Sequence, residues 1–131
     1  MTRGEFEAEW DRCAPWLEEA LEHNGGTHRI EDVLHQVLTD PDTLFWPGER
    51  SAAVTQIIRY PRLNQHHMWL CGGDLHEIID DMLPIAEAHG VLNGCTRFST
   101  AGRPGWKRVL KDKGYTLAFE SCWKELSHGG H

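Results

Sequence analysis

The 131-residue sequence has no apolar run of the length that a membrane helix needs. A helix that crosses a bilayer takes about 20 consecutive apolar residues, so no membrane-spanning segment is predicted. The first five residues, Met-Thr-Arg-Gly-Glu, lack the apolar centre of a signal peptide. We therefore expect a soluble chain that no signal peptide directs to secretion.

Closely spaced cysteine pairs are also missing. The four cysteines, Cys13, Cys71, Cys95 and Cys122, are far apart in the sequence. This spacing excludes the paired cysteines of a zinc ribbon or a redox motif. Each cysteine has apolar neighbours, so we expect buried thiols in a reducing compartment.

No convincing set of metal ligands is present, although the chain has nine histidines. His66, His67, Cys71 and His76 come closest to such a set. Neighbouring residues of a strand point to opposite faces, so His66 and His67 should not face one ion together. The sequence therefore predicts no metal site.

Basic charge is scarce in the first part of the chain. The net charge is −7, and residues 1–50 contain twelve acidic but only four basic side chains. Residues 97–113 reverse this balance, with six basic side chains and Asp112 as the one acid. Such a distribution disfavours nucleic-acid binding and fits either a local anion or partner site, or a solvated helix face.

Apolar periodicity predicts two helices at the start of the chain. Helical spacing covers residues 5–22, with Pro15 expected to split that helix or to begin a second segment. It also covers residues 30–38, which Thr27 should cap. Bulky or β-branched runs then predict three short-linked strands at residues 43–46, 51–60 and 66–71, an antiparallel meander.

A third helix should run from Asp74 to His89. Asp74 suits the N-cap position, and Gly90 should end the helix in the left-handed conformation. Pro84 lies inside the helix and should bend it or weaken its third turn.

The remaining chain predicts a strand at residues 95–100, a helix at residues 106–113 that Gly114 ends, and a strand-like run at residues 115–126. Strand, helix and strand with short links form a βαβ unit with parallel strands. The sequence therefore predicts an α+β fold with a mixed sheet covered by helices. Its size fits one domain, residues 1–126, followed by a flexible tail at residues 127–131.

This order of elements resembles the GNAT fold of the Gcn5-related N-acetyltransferases. Residues 69–75, 101–106, 113–115 and 124–126 resemble small GNAT-like proteins of tailed bacteriophages and prophages. The resemblance implies a GNAT-like mixed sheet, an antiparallel meander plus a βαβ unit, without the family's first strand. It also implies a location in the host cytoplasm or the phage particle.

In that family, a splayed strand and a Gly-rich loop hold acetyl-CoA, with its diphosphate at a helix N-terminus. If acetyl-CoA binds this chain, the resemblance implies five cofactor-binding residues: Leu70, Cys71, Gly72, Gly73 and Arg103. Otherwise no cofactor is expected.

Two positions depart from the family pattern. The turn has no basic residue, and Asp74 would repel a diphosphate. The family's general acid is a tyrosine four residues before the glycine that ends the next helix. Counting back from Gly114 gives Leu110, so no catalytic residue is assigned. The remaining acid–base candidates are Glu49, His66 and His67.

Two functions follow from the resemblance. The favoured one is a degenerate acetyl-CoA site on a non-catalytic binding or structural component, such as a virion or assembly protein. The alternative is an acyl-CoA-dependent N-acetyltransferase, with Arg103 and Lys107 at the phosphates.

A protein partner, for instance another phage structural protein, would contact the basic segment, residues 97–113. Of the six tryptophans most should be core residues, Trp69 and Trp123 in strands among them. Trp and Arg side chains dominate interface energetics. The expected contacts are Arg103, Trp106, Lys107 and Arg108.

Overall fold

A computed structural model describes residues 1–101, 106–118 and 122–127. The chain divides into two compact units, Met1–Ala101 and Gly102–His131. The single domain over residues 1–126 stays a prediction. Arg103 and residues 128–131 of the predicted tail lie outside the described residues.

The first unit contains every strand found among the described residues. Its elements are the helices α1 (Arg3–Leu21) and α2 (Ile30–Thr39), the strands β1 (Thr43–Pro47), β2 (Ser51–Arg59) and β3 (Asn64–Gly73), the short helix α3 (Leu75–Glu77), a π-helical turn (Ile78–Met82), the helix α4 (Leu83–Leu92) and the strand β4 (Arg97–Thr100). The second unit contains the helix α5 (Trp106–Asp112).

The four strands form one mixed sheet in the order β1-β2-β3-β4. β1, β2 and β3 pair antiparallel, whereas β3 and β4 pair parallel, with His66 opposite Phe98. The segment from α3 to α4 provides the crossover between β3 and β4. The predicted α+β fold, a meander plus a βαβ unit, is therefore confirmed.

Helices α1 and α2 pack on one face of the sheet. The core there combines buried residues of the helices and strands: Trp10, Cys13, Leu17, Ala20, Leu21, Val33, Ala52, Val54 and Leu70. Burial raises the pKa of the Cys13 thiol, as expected for a buried cysteine. Burying such side chains contributes roughly 1.5–3 kcal/mol each, which fixes the helices on the sheet.

Helix α1 corrects one prediction, because it continues through Pro15 without a break. Cys13 and Leu17, on either side of the proline, are fully buried in the core. Their packing holds the helix in place where the proline removes a backbone hydrogen bond. The Thr2 hydroxyl caps α1 by accepting a hydrogen bond from Glu5 N at 3.1 Å.

Helix α2 corrects a second prediction, because Thr27 does not cap this helix. The N-cap residue is Arg29, whose N–H donates to the Asp32 carboxylate at 2.8 Å. The Thr27 hydroxyl instead accepts a hydrogen bond from the Asn24 side-chain amide at 3.0 Å. The Asp32 side chain, three residues after the N-cap, thus makes a hydrogen bond at the helix start where Thr27 was predicted to make one.

The crossover helix begins with the predicted cap, Asp74. The disturbance that Pro84 predicted for this helix is a π-helical turn just before Pro84. In this turn, Leu83 N donates a hydrogen bond to Ile78 O. Pro84 therefore lies in the first turn of α4, where a missing N–H costs no hydrogen bond. Gly90 does not end the helix, which continues to Leu92, and Gly94 is the left-handed residue, with φ of 78°.

In the second unit, Gly114 ends α5 as predicted. It has a φ of 90°, and Tyr115 N donates back to Leu110 O at 3.0 Å. The strand predicted for residues 115–126 is wrong over residues 115–118 and 122–127, which have no regular structure. Trp123 is 71% exposed rather than a core residue, and Cys122 is exposed as well.

The described part of the chain contains no helix that is both long and apolar enough to span a membrane.

Candidate functional site

Strand β3 carries a β-bulge at its centre. Met68 lies opposite Thr55 and Leu70 opposite Val54, so Trp69 has no counterpart of its own on β2. Leu70 joins the core under α1, and Trp69 packs against the same core, with its ring 4.7 Å from His28. The bulge therefore turns two successive side chains toward the α1 and α2 face.

The pairing of the parallel strands β3 and β4 stops just before this bulge. Its last pair is Met68 opposite Thr100, where β4 ends. β3 continues to Gly73 and pairs there with Ser51 of β2. β3 thus runs on without β4 over the residues where the resemblance implies a cofactor cleft.

The two glycines at the end of β3 are explained by close packing. A Cβ on Gly72 would collide with the backbone carbonyl of Trp16 in α1. Gly73 has a φ of 100°, and a Cβ there would collide with the backbone of Arg50. Neighbouring backbone therefore fills the space that a side chain would take at both positions.

Two backbone donors at the start of the crossover helix are already used. Asp74 Oδ1 accepts a hydrogen bond from Glu77 N at 3.0 Å, and Asp74 N donates to Arg50 O at 2.8 Å. The hydrogen bond from Glu77 N lowers the pKa of Asp74, and Arg50, 3.4 Å from its Oδ2, lowers it further. Asp74 is therefore a stable anion at this helix end.

This arrangement does not fit a coenzyme diphosphate. A diphosphate needs free backbone N–H groups and a site without negative charge. Here the Asp74 carboxylate occupies the helix end, and the backbones of Trp16 and Arg50 press on the glycines.

The other residues predicted to contact the cofactor differ in their surroundings. The Leu70 side chain is 2% exposed and belongs to the core. Cys71 is half-buried, and Arg103 lies outside the described residues. Whether any of the five binds acetyl-CoA stays a prediction.

His66 is fixed in a buried chain of hydrogen bonds. Its Nδ1 lies 2.8 Å from Ala86 O and its Nε2 lies 2.8 Å from Thr55 Oγ1. Because Ala86 O only accepts, Nδ1 donates to it, and the Thr55 hydroxyl donates to Nε2. The Thr55 hydroxyl also accepts a hydrogen bond from Trp46 Nε1 at 2.7 Å. Burial lowers the pKa of His66, so a neutral ring completes this chain.

His67 points away from His66, as predicted for neighbouring strand residues. Its Nδ1 lies 2.7 Å from Ser99 Oγ, which also accepts a hydrogen bond from the Gln65 side chain at 2.7 Å. Burial lowers the pKa of His67 as well. Among the residues with described positions, no group of three potential ligands could hold a metal ion.

Glu77 was not singled out from the sequence, although it is one of the few buried charged side chains described. One carboxylate oxygen accepts hydrogen bonds from the Ser51 hydroxyl and from Arg50 N, the latter at 3.0 Å. The Ser51 hydrogen bond is the main cause that lowers the pKa of Glu77. Its place three residues after Asp74, typical of a capping box, was the available signal. Glu49, the other candidate carboxylate of this region, has an 88% exposed side chain.

The predicted partner surface is only partly described. Lys107 and Arg108 of α5 are exposed, whereas Trp106 is 8% exposed and Leu110 is equally buried. The burial of Trp106 agrees with a core role for most tryptophans, and the partner contacts themselves stay a prediction.

Three of the solved structures with a similar fold are acetyltransferases or proteins described as such. One described as a probable acetyltransferase has a TM-score of 0.65 at 12% identity, covering 92% of this chain and 94% of that one. A possible acetyltransferase from Clostridium difficile 630 has a TM-score of 0.64 at 9% identity, covering 92% and 93%. The aminoglycoside N-acetyltransferase AAC(6′)-Iy in complex with CoA has a TM-score of 0.62 at 9% identity, covering 96% and 91%.

No family model matches the sequence, and no curated protein matches it. The likeness to the solved structures establishes the GNAT-like fold that the resemblance implied. At identities this low it carries the fold alone.

Proposed function

We propose that this chain is a GNAT-like binding protein that does not use acetyl-CoA, of the kind that serves as a structural or assembly component in tailed phages. One observation supports it above the others: the Asp74 carboxylate caps the helix on which the fold would place a diphosphate. The close packing of Gly72 and Gly73 supports it further. The phage context rests on the sequence resemblance.

Melting of the full chain with acetyl-CoA tests this proposal. A ligand that binds only the folded state must raise the melting temperature. At a ligand concentration of 100 times Kd, the free energy of unfolding increases by about 2.7 kcal/mol. We expect no change at millimolar acetyl-CoA. A melting temperature that keeps rising with the logarithm of the acetyl-CoA concentration would refute the proposal.

The basic segment is the proposed contact for a protein partner. Charge reversal at Arg103, Lys107 and Arg108 together should abolish co-purification of the partner from native cells. Charge reversal at Arg3, Arg62 and Lys124 together is the matched control, because these three residues are exposed and basic and lie outside the basic segment. Equal loss in both variants would show a general charge effect and count against this surface.

An acyl-CoA-dependent N-acetyltransferase is the second candidate. It is favoured by the five residues of β3 that continue beyond the last pair with β4, where the resemblance implies a cofactor cleft. In that case Arg103 and Lys107 would contact the phosphates in place of the Asp74 turn. This candidate predicts a melting temperature that rises with the logarithm of the acetyl-CoA concentration, and acetyl transfer to an amine that Arg103→Glu abolishes.

A further inference from the structure

A cavity of about 300 Å³ lies between the β1–β2 turn and the crossover helix. Trp46, Glu49 and Arg50 line it from the strand side, and Glu77, Asp81 and Ile85 from the helix side. None of these residues belongs to β3 or β4, so the cavity is separate from the predicted cofactor residues of β3.

The strand-side wall is held rigidly. Gly48 N donates to Ser51 O at 2.8 Å and closes the turn. Arg12 of α1 donates to the carbonyls of Gly48 at 2.7 Å and Glu49 at 3.1 Å. Arg50 N donates to the Glu77 carboxylate of the opposite wall. The cavity is therefore formed in advance of any ligand, as small binding sites usually are.

Part of the lining is apolar. The one polar atom of the Trp46 indole donates to Thr55, so the rest of that ring offers an apolar surface. Ile85 lines the cavity from the helix and is 59% exposed, an unusual exposure for an isoleucine. A ligand with an apolar stem or a flat apolar face would cover both side chains.

The charged part of the lining is negative. Arg50 lies 3.4–3.5 Å from the carboxylates of Glu49, Asp74 and Glu77, which together outweigh its charge. Asp81 is exposed, and within residues 1–101, 106–118 and 122–127 its carboxylate has no hydrogen bond or ion pair. The cavity thus presents a carboxylate that is available to a cation beside an apolar wall.

We propose that this cavity receives an arginine side chain of a partner protein, with the guanidinium at Asp81 and the stem on Trp46 and Ile85. A guanidinium is planar, weakly hydrated, able to pack on an aromatic ring and able to bind a carboxylate in two-pronged fashion. Lysine offers a strongly hydrated point charge, which suits an apolar wall less well. The site deepens the proposed binding function and rests on it, but it uses a different surface from the basic segment.

Titration of the ¹⁵N-labelled full chain with Nα-acetyl-argininamide, followed by NMR, tests the site. We expect saturable shifts at Arg50 N–H, Asp81 N–H and the Trp46 indole N–H. Nα-acetyl-citrullinamide, which has nearly the same shape without the charge, should cause no saturable shift. Asp81→Asn should weaken argininamide binding about threefold to fivefold, the upper part of the range expected for an exposed charge pair.

Asp80→Asn is the matched control, because Asp80 is the exposed neighbour of Asp81 and does not line the cavity. It should leave the affinity within about twofold of the unchanged chain. Equal weakening in both variants, shifts spread over the acidic surface of α1, equal binding of the citrulline compound, or tighter binding of Nα-acetyl-lysinamide would each overturn the proposal. Acetyl-CoA plays no part in this titration, so its result is independent of the melting test.

Discussion

Asp74 and Glu77 lie three residues apart, and each carboxylate satisfies backbone N–H groups that would otherwise lack partners. Asp74 Oδ1 accepts from Glu77 N at 3.0 Å, while Glu77 Oε1 accepts from Arg50 N at 3.0 Å. The first bond starts the crossover helix, and the second ties that helix to the β1–β2 turn. The pair therefore joins the helix start to the sheet at the place where related folds would carry a diphosphate.

Removal of the Asp74 cap should loosen the helix start. Asp74→Ala loses the acceptor for Glu77 N and should lower the melting temperature by a few degrees. Asp74→Asn keeps an acceptor at the same position and should melt close to the unchanged chain. Equal melting of all three proteins would contradict the capping role. Thermal denaturation followed by circular dichroism makes the measurement.

Gly72→Ala should destabilise the fold strongly, because its methyl group would collide with the Trp16 carbonyl. Overpacking of this kind typically costs about 1–3 kcal/mol. Gly4→Ala is the control, since its methyl group meets nothing within 4 Å and improves helix propensity in α1. Urea denaturation should show a loss for the first variant and a small gain for the second. Unchanged stability of Gly72→Ala would leave the glycine free for a ligand role.

The helices and strands of the first unit could be predicted because their signals are local. Periodic apolar residues mark α1 and α2, and β-branched runs mark β2. The Asp74 cap was predictable for the same reason, since an acceptor before an apolar helix pattern is a short-range signal. Pro84 likewise indicated a disturbance, although not that it would be a π-helical turn.

The features that were not predicted correctly depend on contacts between residues that are far apart in the sequence. Gly72 and Gly73 suit a phosphate cradle and close backbone packing equally, and only the position of Trp16 and Arg50 decides between them. The bulge at Trp69 has no sequence signal of its own, because it depends on the register with β2. The strand predicted after α5 had suitable residues, but a strand also needs a partner to pair with.

Glu77→Ala should lower the free energy of unfolding more than the removal of an exposed charge does. It would leave the Ser51 hydroxyl and Arg50 N without their acceptor in a site that is 7% exposed. Two lost hydrogen bonds with buried donors should cost about 2–4 kcal/mol. Glu77→Gln keeps one acceptor oxygen and should cost less. Urea denaturation makes the comparison, with the exposed Glu18→Ala as the control. Equal effects of Glu77→Ala and Glu18→Ala would contradict the role of Glu77 as acceptor for Ser51 and Arg50.

Stability should fall as the pH drops below about 6.5, the ordinary pKa of histidine. Burial lowers the pKa of His66 and His67 in the folded chain, so the unfolded chain binds more protons in this range. The free energy of unfolding therefore decreases with falling pH, by at most about 1.4 kcal/mol per pH unit for each histidine.

His66→Gln should lower stability at pH 7.5 and should also flatten this pH dependence, leaving the part due to His67. The exposed His76→Gln controls for the loss of one histidine. Urea midpoints at pH 7.5, 6.5 and 5.5 make the test, and an unaltered slope in His66→Gln would show that the chain from Trp46 to Ala86 tolerates a charged ring.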